Sequence, residues 1–274
     1  MDKNQDTIII KQISTPYIKI KTTLRIFLPK EYFDNEIDRY RVLYLHDGQN
    51  LFEPALSLSG KAWNVDKTLR SSINSKSICP LIIVGIDNKG IYRPDEYSPY
   101  ITDIYLDPKL NRYPGGLGDK YCDFIVNGIK PFIDNNYRTL KDFLHTYIAG
   151  ASLGGFISAY IGAKYPNVFS ILGIFSLASF FKKDAFETYI KQSNLNQNQK
   201  YFIYVGGNEG TRSYPNFKQI YLNCSNDFHQ ILTKQNIYSK LVIDENGKHS
   251  EEWWDKYFSD FLLFIEQTVS NKSI

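Results

Sequence analysis

The sequence predicts a single α/β domain with a mostly parallel central sheet, antiparallel strands at its N-terminus and helices on both faces. Three features carry that expectation. Short β-rich runs with alternating character open the chain, continuous apolar runs follow, and helical stretches separate those runs. The 274 residues suffice for one large core, with 43% hydrophobic and 22% charged residues.

Residues 8–13, 17–21 and 23–28 are rich in β-branched side chains and alternate, as antiparallel strands with one solvated face do. Residues 1–22 are therefore expected to lead into the sheet, with the body of the domain over 23–274. Apolar runs at 42–45, 81–86, 147–149, 171–175, 201–205 and 241–243 suit parallel strands covered on both faces. Helices are expected over 121–135, 156–164, 216–234 and 251–269. The last places Trp254, Tyr257, Phe258, Phe261, Leu262 and Ile265 on one stripe. The Pro- and Gly-bearing stretch 92–118 reads as a long excursion over the sheet edge.

Charge excludes some functions. A net charge of +3 with no basic block gives no electrostatic footprint for nucleic acid. Cys79, Cys122 and Cys224 are odd in number and widely spaced, so free thiols in a reducing compartment are expected. No cofactor or metal is expected, because no cluster shows ligand spacing. The polar N-terminus lacks the apolar core of a signal peptide, and no stretch is apolar for long enough to span a membrane. A cytoplasmic protein is expected, and a homo-oligomer is left open.

Reactive chemistry concentrates at Gly150-Ala-Ser-Leu-Gly-Gly155, where an apolar strand runs directly into a helical pattern. Turning from strand to helix in so few residues forces the central residue into a strained backbone conformation, and the glycines let the chain pass itself. The Ser152 hydroxyl would then project from the sheet as a nucleophile, with the N–H of Leu153 free to donate to a developing oxyanion. Such a serine needs a base and an acid later in the chain. His249 follows the run 241–243 in a polar turn at the carboxyl end of a strand, where reacting groups gather in open α/β sheets. His229 lies inside a helical pattern, and His46 and His145 precede the serine. Glu209, in the turn after 201–205, emerges on the same edge as His249; Asp244 and Glu245 are its rivals. A second oxyanion donor is expected after residues 42–45, from the N–H of Gln49 or of Gly48. His46 and Asp47 are expected to shape that loop through side-chain-to-backbone hydrogen bonds. Arg93 and Glu96 read as an ion pair bracing the next one. Gly116-Leu-Gly118 is too slight a signal for a phosphate cradle.

The sequence resembles the family of α/β-hydrolases known as putative esterases, which includes enterochelin esterase-like, esterase D-like and feruloyl or acetylxylan esterase-like proteins. The resemblance rests on Tyr44-Leu-His-Asp-Gly-Gln-Asn-Leu-Phe52, Gly85-Ile-Asp-Asn88 with Arg93 and Glu96-Tyr97, and Gly118-Asp-Lys-Tyr121. It continues through Ile148-Ala-Gly-Ala-Ser-Leu-Gly-Gly155, Gly206-Gly-Asn-Glu209 and His249 before Trp253. It implies an α/β-hydrolase catalytic domain over 23–274 and a serine esterase with Ser152 as nucleophile, His249 as base and Glu209 as acid. Members often carry Asp at the position of Glu209. The aromatics of the stretches 92–118, 180–200 and 210–217, with no long lid insertion, suggest an accessible pocket for a small acyl, aryl or sugar ester. Two other outcomes share Ser152, His249 and Glu209: acyl transfer to a sugar or alcohol, and an inactive hydrolase fold serving as a binding module.

Overall fold

A computed structural model describes residues 5–57, 59–104, 111–210 and 216–270. Its eight strands form one sheet in the order β1-β2-β4-β3-β5-β6-β7-β8. These are β1 (Thr7–Ile13), β2 (Thr22–Leu28), β3 (Arg41–His46), β4 (Leu81–Ile86), β5 (Thr146–Ala151), β6 (Ile171–Phe175), β7 (Lys200–Gly206) and β8 (Tyr238–Asp244). β1 and β2 pair antiparallel, and β2 pairs antiparallel with β4. From β4 to β8 every pairing is parallel. The described helices are α1 (Val65–Asn74), α2 (Arg93–Glu96), α3 (Gly118–Phe124), α4 (Lys130–Asn136), α5 (Leu153–Lys164), α6 (Lys183–Gln192), α7 (Phe217–Lys234) and α8 (Glu251–Ser270).

Alternation within the strands feeds two cores, one on each face of the sheet. Val42 and Tyr44 of β3 point into the core that also holds Ile125, Phe156, Phe186 and Phe228, under α3 to α7. Leu43 and Leu45 point the other way, toward Leu69, Trp254, Phe258 and Phe261 of α1 and α8. Burial on both faces explains why these strands read as unbroken apolar runs. No helix among the described residues is long and apolar enough to cross a membrane.

Three expectations need correction. Residues 17–21 form no strand; they belong to the turn joining β1 to β2, where the Tyr17 hydroxyl donates to Glu96 Oε1 at 2.6 Å. The helix expected over 121–135 begins at Gly118 and contains a π-helical turn at Ile125–Ile129. The widened turn ends beside Pro131, which has no N–H for the preceding carbonyls. Finally, α1 and α6 occupy segments where no helix was expected.

Candidate active site

β5 lies between β3 and β6, and Ser152 is the single residue joining it to α5. Its φ of 60° and ψ of −123° fall outside the regions open to ordinary L-residues. The fold holds this strain in place on both sides. The Ser152 N–H donates to the Phe175 carbonyl at 2.9 Å, and the Phe156 N–H donates to the Ser152 carbonyl at 3.0 Å. Residues 153–163 of α5 are all buried, so the helix cannot swing away to relax the turn. Gly150 is required: a Cβ there would sit 2.7 Å from the Gly154 carbonyl carbon and oxygen. Leu153 opens the helix, and its N–H has no intrahelical acceptor.

At the neighbouring strand ends, two loops lock together. A Cβ on Gly206 would meet the Gly247 carbonyl group at 2.4 Å, so the chain after β7 and the chain after β8 touch backbone to backbone. The Gly207 N–H donates to the Asp244 carbonyl at 2.6 Å, and the Asn208 N–H to the Gly247 carbonyl at 2.8 Å. This contact brings Glu209 to His249: Glu209 Oε2 lies 3.1 Å from His249 Nδ1. Glu209 is 2% exposed, and its other oxygen accepts from the Gly206 N–H at 2.8 Å and from the Ser176 hydroxyl at 2.5 Å. The acceptor carboxylate assigns the proton to His249 Nδ1 and leaves Nε2 as the basic nitrogen. The Tyr221 ring lies over the imidazole at 4.5 Å and 32°, and Trp254 meets it edge-on at 5.0 Å.

Tyr221 also adjoins the serine. Burial pushes its phenol well above the ordinary value, with the Ser152 side chain pulling the other way. Ser152 and His249 thus flank one tyrosine, and no hydrogen bond joins the two directly among the described residues.

The third arm is the loop after β3. Asp47 adopts a left-handed conformation, φ 57°, before a 3-10 turn over Gly48–Asn50. The Gly48 and Gln49 N–H groups open that turn, where no acceptor exists within the helix. His46 and Asp47 are held here by other side chains, not by the side-chain-to-backbone hydrogen bonds expected of them. His46 Nδ1 lies 2.9 Å from the Tyr121 hydroxyl, and burial pushes the imidazole down to about 3, so it is neutral. Asp47 pairs with Arg93, whose Nε and Nη2 donate at 2.7 and 2.8 Å, and accepts from Asn88 Nδ2 at 2.6 Å. The expected Arg93–Glu96 pair does not form; Glu96 instead accepts from Lys89 Nζ at 2.6 Å.

The rival acid Asp244 is engaged elsewhere. Its Oδ2 accepts from the Tyr257 hydroxyl at 2.6 Å and from Lys256 Nζ at 2.9 Å, and those contacts hold the carboxyl down to about 2. His229 stays on α7, bonded to Ser239 Oγ at 2.8 Å. Trp63 and Trp254 pack together at 5.5 Å in the core. Sequence reasoning missed Ser176 and Tyr221. Ser176 follows β6, so the strand-end rule that found Glu209 and His249 points to it equally. Tyr221 lies within a helix and carries no motif.

Strain gathers at this edge. The adjacent strands β3, β5 and β6 run into Asp47, Ser152 and Ser176, all non-glycine residues with positive φ (57°, 60° and 50°).

A parallel-sheet hydrolase fold with a strained serine at a central strand end defines the class: an α/β-hydrolase. The family model described as "Putative esterase" matches residues 15–265, and the chain belongs to that family of carboxylic ester hydrolases. The uncharacterized protein YbbA of Bacillus subtilis is 26% identical over 247 residues, covering 88% of this chain and 90% of its own. Among solved structures, a ferulic acid esterase superposes with a TM-score of 0.74 at 19% identity, over 96% of this chain and 99% of its own. An IroE-like serine hydrolase from Shewanella oneidensis gives 0.79 at 19%, over 95% and 80%.

Proposed function

We propose that the protein hydrolyses esters through Ser152, His249 and Glu209 by way of a covalent acyl-enzyme. The observation that carries the reading is the buried Glu209 carboxylate 3.1 Å from His249 Nδ1, on the sheet edge where Ser152 projects. The imidazole remains 24% exposed, enough for a substrate to reach it. Ser152 Oγ attacks the ester carbonyl while His249 Nε2 takes its proton. The imidazolium is balanced by Glu209 and returns that proton to the departing alcohol. Water then repeats the sequence on the acyl-enzyme and frees the acid. The N–H groups of Leu153 and Gln49 supply the oxyanion donors.

The substrate proposed is a small acyl, aryl or sugar ester. Aromatic rings on the His249 side support it, with Phe180 5.2 Å from Tyr221. So do the activities of similar proteins, including a Xylanibacter ruminicola endo-1,4-beta-xylanase/feruloyl esterase that is 22% identical over 165 residues, 20% of its length.

The test is labelling with a fluorophosphonate probe alongside p-nitrophenyl acetate turnover. Wild type should label and turn over, and Ser152→Ala should do neither while keeping its fold, with kcat down by about 10⁴ or more. Turnover surviving in a clean Ser152→Ala preparation overturns the reading. Glu209→Gln should lower kcat strongly and Asp244→Asn should not; the reverse order would move the acid to Asp244.

A further inference from the structure

Beyond Glu209 the hydrogen-bonded chain continues for two more side chains. Trp254 Nε1 donates to Ser176 Oγ at 2.9 Å, and Ser176 Oγ donates to Glu209 Oε1 at 2.5 Å. The direction of both bonds follows from chemistry. An indole N–H can only donate, so it occupies a lone pair of the serine oxygen. The single hydroxyl hydrogen is then left for the carboxylate, which can only accept. Glu209 Oε1, holding the Ser176 hydroxyl and the Gly206 N–H, is pinned from two directions, and Oε2 is the oxygen left to face His249.

Ser176 is placed at some cost. It is fully buried, lies in the left-handed region at φ 50°, and its N–H donates to the Tyr204 carbonyl at 2.7 Å. A serine in that conformation is disfavoured relative to glycine. The strained conformation coincides with a hydroxyl aimed at the carboxylate. Trp254 contributes twice, since its ring also meets the His249 imidazole edge-on at 5.0 Å. One tryptophan thereby touches the base directly and the acid through a serine.

We infer that Ser176 is a positioning residue for ester hydrolysis: oriented by Trp254, its hydroxyl aims the Glu209 carboxylate at His249. The inference rests on the proposed role of Glu209. Ser176 touches no substrate, so its removal disturbs the orientation of the imidazole and leaves ground-state binding intact.

The experiment compares Ser176→Gly, Ser176→Asn and Trp254→Phe with wild type, using p-nitrophenyl acetate kinetics and urea unfolding. Glycine suits φ 50° and deletes the hydroxyl. Asparagine tolerates the same φ and restores a donor. Phenylalanine keeps a ring beside His249 without the N–H. Ser176→Gly should lower kcat about 10- to 100-fold with KM within about twofold, the scale of a misplaced catalytic group. Ser176→Asn should recover several-fold of that loss, and Trp254→Phe should fall between glycine and wild type. The variants stay folded by urea, because each removes only one or two buried hydrogen bonds from a large core. If Ser176→Gly fails to fold, the Trp254→Phe kinetics decide alone. Unchanged kcat in Ser176→Gly, or a rise in KM at constant kcat, overturns the inference. Ser152→Ala and Glu209→Gln run in parallel. Activity surviving in them defeats the parent reading, whereas their silence beside a fully active Ser176→Gly defeats this inference only.

Discussion

Asp47 and Arg93 form a bidentate ion pair across 46 residues of sequence, at 2.7 and 2.8 Å, inside a left-handed turn beside the serine elbow. Burial alone would raise the Asp47 carboxyl; the Arg93 charge, its two hydrogen bonds and Asn88 outweigh it and hold the group below its ordinary value. A carboxyl depressed on folding contributes stability above its unfolded value, about 3.9. That contribution disappears as pH falls through the lower folded value. Arg93→Ala leaves a buried, unpaired carboxylate and should cost about 3 kcal/mol of unfolding free energy at pH 7, with much less lost in an Asp47→Asn background. Urea titration of the two single variants and the double variant checks this; additive losses would show that the pair is not coupled.

His46 predicts a second pH effect. Buried beside the Tyr121 hydroxyl and held down to about 3, it stays neutral in the fold but charges in the unfolded chain near pH 6.5. A histidine depressed on folding stabilises fully above the unfolded value and loses that stabilisation as pH falls toward the folded one. Between pH 7 and pH 5 the wild type should therefore lose about 2 kcal/mol through this group. His46→Gln should flatten the curve in that window. Parallel curves for the two proteins would refute the assignment.

The closure between the β7 and β8 loops is tested at Gly206. A methyl group there meets the Gly247 carbonyl at 2.4 Å and must push the loops apart, separating Glu209 from His249. Gly206→Ala should cost about 1–3 kcal/mol of stability and reduce kcat more than tenfold. A stable, fully active variant would show that the loops hold their positions without this contact.

Legibility in the sequence followed locality. The serine elbow and the parallel strands could be read because a few consecutive residues carry each signal. Glu209 and His249 could be read because strand ends share one edge. The run 17–21 misled because β-branched residues also fill turns. α1 and α6 escaped notice because each buries only two side chains, Val65 with Leu69 and Phe186 with Ile190, within polar surroundings. Pairings such as Asp47 with Arg93 or Ser176 with Trp254 join residues 46 and 78 positions apart, and no periodicity reports on them.

Consider, finally, the carboxylate whose first oxygen is already saturated by a hydroxyl and an amide. Its dipolar surroundings are set when the polypeptide folds, so the mechanism proposed here would require little solvent-like rearrangement in each turnover. Such an arm is insulated from the rim. On the proposed mechanism, substitutions in the exposed loops can retune which esters are accepted without disturbing the buried Glu209 carboxylate.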